Sequence, residues 1–150
     1  MKEIVQKEGL SNYVHFLGSM SPAEVRSHMV QSQIFLFTSD EGEGWGAVLN
    51  EAMNSGCAVV ASDKIGSVPF VIKDGVNGFS FKSCDWSDSY TKVKYLLDHQ
   101  DERAKMAIEA LNTIKETWNE ETAVKNFISL ASSMLKGEKV DIKDGPCSPA

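Results

Sequence analysis

Cysteine is scarce and unpatterned in this chain. Cys57, Cys84 and Cys147 are an odd number, and no two stand in a Cys-x-x-Cys pair, which argues against structural zinc and against a disulfide framework. Cys57 reads as a small buried hydrophobe. His15, His28 and His99 are scattered without ligand spacing and read as structural or exposed side chains. No apolar run approaches the roughly 20 residues of a membrane helix. The opening stretch, Met1 to Glu8, is too charged for a secretion signal. Basic residues are outnumbered 15 to 21, a net charge of −6, which argues against a nucleic-acid partner. Without a secretion signal, a reducing, cytoplasmic setting is expected.

What is present is ordinary for a globular protein: 150 residues, 42% hydrophobic and 24% charged. A folded chain of 16.5 kDa exposes about 7,500 Å², enough for one core. Residues 1–136 are expected as that domain and residues 137–150, with two prolines and two glycines, as a mobile tail.

Tyr13 to Gly18 reads as a short strand ended by glycine. Ser21-Pro22-Ala23-Glu24 reads as a capping box opening a helix to about Gln31, with Val25, Met29 and Val30 on its buried face. Ile34 to Thr38 is continuously apolar, as a strand covered on both faces must be. A glycine-rich stretch, Ser39 to Gly46, follows and forbids regular structure. A helix from Ala47 to Asn54 is closed by Gly56. Cys57 to Ala61 is a second apolar strand. Asp74-Gly75 and Asn77-Gly78 mark turns before a strand at Gly78 to Phe81. Three helices then close the chain, from Trp86 to Leu97 with Asp85 as cap, a second with Asp101 as cap to about Thr117, and a third from Glu120 to Leu135. Val93, Leu96, Leu97, Met106, Ala110, Ile114, Val124, Phe127, Ile128 and Leu135 recur at helical spacing. Trp86 and Trp118 read as helix-packing residues. The pattern is α/β with a parallel sheet, then C-terminal helices.

Ligands of open α/β sheets bind beyond the carboxyl ends of the strands. The loop from Ser39 to Gly46 occupies such a place, at the amino end of a helix whose first N–H groups lack partners. It is either a cradle for phosphate or sugar oxygens, or a plain connecting turn. Glu43 and Glu51 stand with seven residues between them. They can grip sugar hydroxyls and a pair of ribose hydroxyls, or be two exposed glutamates near a helix. Glu51 is expected on the inner side of its helix, between Val48 and Ala52. Trp45 can stack on a sugar or, as Trp is usually buried, anchor the loop.

Phe16-Leu17-Gly18, Phe37-Thr38-Ser39 and the run from Glu43-Gly44-Trp45-Gly46-Ala47 through Glu51-Ala52-Met53-Asn54-Ser55-Gly56 to Ser62 resemble the C-terminal domain of retaining GT-B glycosyltransferases of the family 4 type (group 1). Gly66-Ser67-Val68-Pro69, Asp74 to Phe79 and Thr117-Trp118-Asn119 continue the resemblance in order. It implies a Rossmann-like half of a two-domain enzyme that holds a nucleotide-diphosphate sugar donor. Glu51 would then bind the ribose, and Glu43 would be the catalytic carboxylate beside the donor sugar and the reacting phosphate. The backbone of Gly44, Trp45, Gly46, Ala47 and Val48 would meet the sugar and diphosphate. Phe16 and Gly18 would edge the base pocket.

The resemblance also implies that no metal or other cofactor is needed, because in such enzymes basic side chains and a helix terminus offset the leaving diphosphate. The acceptor, a glycan or lipid-linked sugar of polysaccharide biosynthesis, would sit on an N-terminal domain not contained in this sequence. Peripheral membrane association would belong to the full enzyme. Phe70 departs from the glutamate that the family often carries there. Neither Arg26 nor Arg103 matches the family's diphosphate-binding arginine. The chain is therefore expected to be a truncated C-terminal piece, inactive alone. The alternatives are a GT-B epimerase or phosphorylase, or a non-catalytic nucleotide-sugar binding module.

Overall fold

The computed structural model describes residues 1–140 and 142–149. Three short strands, β1 (Ile34–Phe37), β2 (Ala58–Ser62) and β3 (Phe79–Phe81), pair in parallel in the order β1-β2-β3. The register sets Phe35 beside Val59 and Ala61 beside Ser80. Helices α1 (Lys2–Lys7) and α2 (Pro22–Gln31) precede the sheet. Helix α3 (Ala47–Asn54) crosses from β1 to β2, and α4 (Val68–Val71) lies between β2 and β3. Helices α5 (Trp86–Asp98), α6 (Gln100–Asn112) and α7 (Glu120–Lys136) follow.

β2 is buried along its whole length, as its unbroken apolar run requires. Its side chains alternate between two cores. Val59 and Ala61 join Leu49 and Met53 of α3 with Ile65, Val71 and Ala110. Ala58 and Val60 face Phe81, Leu96 and Met106. Gly78 keeps the second turn tight: a Cβ there would lie 2.7 Å from Val59 Cγ2. Beside it, the buried Asn77 accepts from Lys73 N at 2.6 Å and donates to Val71 O and Thr113 Oγ1 at 2.9 Å.

Two expected caps form, and a third stands at Asn119. Ser21 and Glu24 make a full capping box. Asp85 Oδ1 accepts from Asp88 N at 3.0 Å, and Asn119 Oδ1 from Thr122 N at 2.8 Å. Asp101 does not cap: α6 begins one residue earlier, and Asp101 lies in its first turn, where a negative charge suits the helix dipole. The expected helix to Thr117 ends at Asn112 and passes into one π-turn at Thr113–Thr117.

Other expectations fail for want of a neighbour. Residues 13–18 form no strand and ladder with no strand among the described residues, although β1 pairs with β2 alone. Helices α1 and α4, both short, have no counterpart in the expected pattern. Val30 of α2 is exposed. Trp86 is 65% exposed, so little of its ring is packed. Val124, Phe127, Ile128 and Leu135 do fall on one helix, but no residue of α7 is buried, so the stripe faces solvent. The surface totals 10,040 Å², against about 7,500 Å² for a compact chain of this mass.

After Gly137, Asp144 pairs with Lys73 at 2.9 Å, and Asn126 Nδ2 donates to Pro146 O at 2.8 Å. Asp141 and Ala150 of the expected tail lie outside the described residues.

Candidate functional site

Beyond Phe37 the chain leaves the carboxyl edge of the sheet. Asp40 Oδ1 accepts from Gly42 N at 2.9 Å. That Asx contact supports one 3-10 turn at Glu41–Glu43, where the glycines had predicted no regular structure. Gly44 and Gly46 both have positive φ, +68° and +74°. At Gly46 a side chain is also sterically excluded: a Cβ would lie 2.6 Å from Ile65 Cγ2.

The loop is fastened to the segment after β2. Gly66 N donates to Gly44 O at 2.8 Å, and Ser67 N donates to Trp45 O at 2.9 Å. A Cβ on Gly66 would stand 2.3 Å from Gly44 O, so this glycine is needed for the close approach. The carbonyls of Gly44 and Trp45 are thereby used inside the protein. The amide N–H groups of Trp45, Ala47 and Val48 meet no acceptor among the described residues. Gly46 caps α3, and no side chain hydrogen-bonds to the helix end. Unpartnered N–H groups at the positive end of a helix dipole form a cradle for an anion.

The two glutamates flank this cradle and are held differently. Ser39 Oγ donates to Glu43 Oε2 at 2.8 Å, so one oxygen is pinned and the other is free. Glu51 is exposed, which corrects the expectation that it lies on the inner side of the helix. The buried face of α3 is Leu49, Ala52 and Met53. Glu51 follows Ala47 by four residues and therefore shares its outer stripe. Its carboxylate makes no hydrogen bond or ion pair among the described residues. An exposed carboxylate needs no buried partner, and both of its oxygens can accept from vicinal hydroxyls.

Trp45 packs against two other aromatic rings. Its ring centroid lies 5.5 Å from Phe70 and 5.7 Å from Trp118, and Nε1 donates to Asn50 Oδ1 at 3.3 Å. It remains 42% exposed. Phe70 and Trp118 meet edge to face at 6.4 Å. Phe70, which departs from the resemblance, thus closes an aromatic trio under the loop. That trio was not foreseen, and no local pattern signals it.

No hydrogen bond or ring contact joins Phe16 or Gly18 to this loop among the described residues. Phe16 lies under the Lys2 ammonium, 5.7 Å from its ring centroid. The cleft it lines, about 500 Å³, is made by α1 and residues 11–16 and contains none of the loop residues. Gly18 has φ +72° and open space about it. Of the two arginines, Arg103 donates to Leu96 O at 3.0 Å and lines a cleft with Ser32, Gln33 and Gly56. Those residues precede β1 and β2, so Arg103 stands at the amino edge of the sheet, away from the cradle. Lys64, two residues before Gly66, is exposed and is the cation nearest the fastening in sequence; it was not singled out beforehand. No group of three His, Cys, Asp or Glu residues comes together as a metal site among the described residues.

The profile of the family described as "Glycosyl transferases group 1" matches residues 1–113. The gpi3 subunit of phosphatidylinositol N-acetylglucosaminyltransferase from Schizosaccharomyces pombe is 32% identical over 149 residues, covering 99% of this chain and 29% of that protein. The chain spans under a third of the length of the curated relatives it matches. Among solved structures, the C-terminal domain of a glycosyl transferase group 1 family protein (LpcC) from Francisella tularensis superposes with a TM-score of 0.70 at 27% identity. That match covers 76% of this chain and 58% of the other. Anabaena HepE in complex with UDP superposes with a TM-score of 0.72 at 23% identity, over 91% of this chain and 35% of that one.

Proposed function

This chain belongs to the glycosyl transferases of group 1 and has the Rossmann-like fold of their C-terminal domain; from that premise we propose that it binds the donor, a nucleotide-diphosphate sugar, for retaining transfer to a glycan or lipid-linked acceptor. The observation that carries the reading is the row of unpartnered amides at Trp45, Ala47 and Val48, with Glu43 on one side and Glu51 on the outer face of the same helix.

The diphosphate lies on the amides and the helix end. Glu51 accepts from the ribose hydroxyls, and the free oxygen of Glu43 meets the donor sugar. In the transfer, the anomeric C–O bond breaks with its electron pair going to the diphosphate oxygen. The acceptor hydroxyl bonds to the anomeric carbon on the face the diphosphate leaves, and its proton passes to that diphosphate. The N–H groups and the helix dipole oppose the charge that develops, a stabilisation that needs no metal ion. The rest of a longer protein supplies the acceptor site, any contact with a membrane surface and the cationic side chains that neither arginine provides here. Alone, the chain does not turn over. Its setting is the cytoplasm, and the family 4 type is the subgroup proposed. A helix long and apolar enough to cross a membrane is absent among the described residues.

Calorimetric titration with UDP, GDP and their glucose conjugates tests this. UDP is the first probe, since the Anabaena protein of this fold was crystallised with it. The expected result is weak nucleotide binding that Glu51→Ala weakens by about tenfold, in line with the loss of a charge-assisted hydrogen bond. Binding that Glu51→Ala leaves unchanged overturns the ribose assignment. No binding by any nucleotide overturns the donor reading.

A further inference from the structure

Resting on the reading of the loop as a diphosphate cradle, we propose that Trp118 is a positioning residue for that cradle and acts through Trp45. Trp45 is flanked by Gly44 and Gly46, both at positive φ, in a residue type with the widest backbone freedom. On the backbone, the peptides on both sides of it are held, Gly44 O by Gly66 N–H and Trp45 O by Ser67 N–H. Both holds come from one short segment, Gly66-Ser67, about which the loop can rock. The indole supplies a hold from elsewhere.

That hold has three walls. Asn50 belongs to α3 and takes the Nε1 hydrogen. Phe70 belongs to α4, next to the segment that fastens the loop. Trp118 comes from elsewhere in the chain, beyond the residues 1–113 that match the family. It follows the π-turn that ends α6, and its own N–H donates to Thr113 O at 3.0 Å. Its ring packs on the main core as well as on Trp45. The C-terminal helical segment therefore sets the orientation of the amides at the carboxyl edge of the sheet.

The test is a double-mutant cycle read by amide hydrogen exchange and by UDP titration. Gly66 and Ser67 N–H report the fastening directly, because they donate to Gly44 O and Trp45 O. In Trp118→Ala, and in Trp118→Leu, which retains apolar bulk, these two amides are expected to exchange roughly two- to tenfold faster, the worth of one aromatic pair. The amides of β2 are expected to keep their rates, and Trp118→Phe to restore the two reporters. UDP affinity is expected to fall by the same factor. In a Trp45→Ala background, Trp118→Ala is expected to add nothing to either readout. An unchanged rate at Gly66 and Ser67, an equal acceleration in β2, or an undiminished effect in the Trp45→Ala background overturns the proposal. A wild-type chain that binds no UDP defeats the donor reading instead, and the exchange rates still decide the role of Trp118.

Discussion

Ser39 and Glu43 are joined across a single 3-10 turn, the serine hydroxyl donating to Glu43 Oε2 at 2.8 Å. The serine comes from the end of the β1 segment and the glutamate from the loop, so the strand aims the carboxylate. Replacing Ser39 with Ala frees the side chain to rotate. The expected outcome is a loss of about 1 kcal/mol, or fivefold, in the extra affinity of a UDP-sugar over UDP. Binding of UDP itself stays as it was, and Ser39→Thr keeps the wild-type ratio. Parallel titrations of UDP and UDP-glucose measure it; equal losses for both ligands would count against this division of labour.

The two glycines of the fastening predict instability, each for its own reason. Gly66→Ala drives a methyl to 2.3 Å from Gly44 O and must part the two loops. Gly46→Ala forces an L residue to hold φ +74° with its methyl 2.6 Å from Ile65 Cγ2. Left-handed backbone alone costs about 1–2 kcal/mol, and the contacts add to it. Urea unfolding should show both variants with midpoints well below wild type. A Gly66→Ala protein as stable as the parent would mean the loops are not fastened as described.

Thiol chemistry should separate the cysteines. Cys84 and Cys147 are exposed, whereas Cys57 is buried and its Sγ donates to Met29 O at 3.2 Å. Burial pushes the Cys57 thiol above its ordinary range, which lowers its thiolate fraction and reactivity. With a thiol-reactive dye, two equivalents should react at once in the native protein. The third should appear only on unfolding, and three fast equivalents would contradict the placement of Cys57.

The contact of the last residues with the body should depend on acid. Lys73, by its hydrogen bond, holds the Asp144 carboxyl below the usual value of 3.8. A carboxyl lowered by its folded partner lends stability above its unfolded value, and that stability fades as pH falls through the lowered one. Both partners are about half exposed, so the effect is small and salt-sensitive. Limited proteolysis after Gly137 should therefore be slow at neutral pH and quicken below about pH 4, or when Asp144→Asn is introduced. Cleavage indifferent to both would show that the pair does not hold this stretch.

What could be read from the sequence was what local chemistry dictates. The Ser21–Glu24 box, the Asp85 cap and the βαβ crossing all follow from residues within a few positions of each other. So does the placement of the loop at a helix entrance. What failed depended on partners far along the chain. The apolar run at residues 13–18 has the look of a strand, but a strand exists only where it ladders with another, and this run does not pair even though one edge of β1 is open among the described residues. The side chain of Glu51 was misplaced because its neighbours Val48 and Ala52 suggest an inner face, while Leu49 and Met53 set the helix rotation. The trio of Trp45, Phe70 and Trp118 spans 73 positions, and no spacing rule links such residues. The stripe on α7 was correctly periodic, yet periodicity says which residues share a face and not what covers it.

β1 consists of four apolar residues, Ile34 to Phe37, and one of its edges is hydrogen-bonded to no strand among the described residues. An uncharged edge of that kind is a template for another chain. Concentrated solutions of this polypeptide would be driven toward intermolecular ladders growing from Leu36 and its neighbours, and a single lysine at the exposed Leu36 would be the simplest gatekeeper against them.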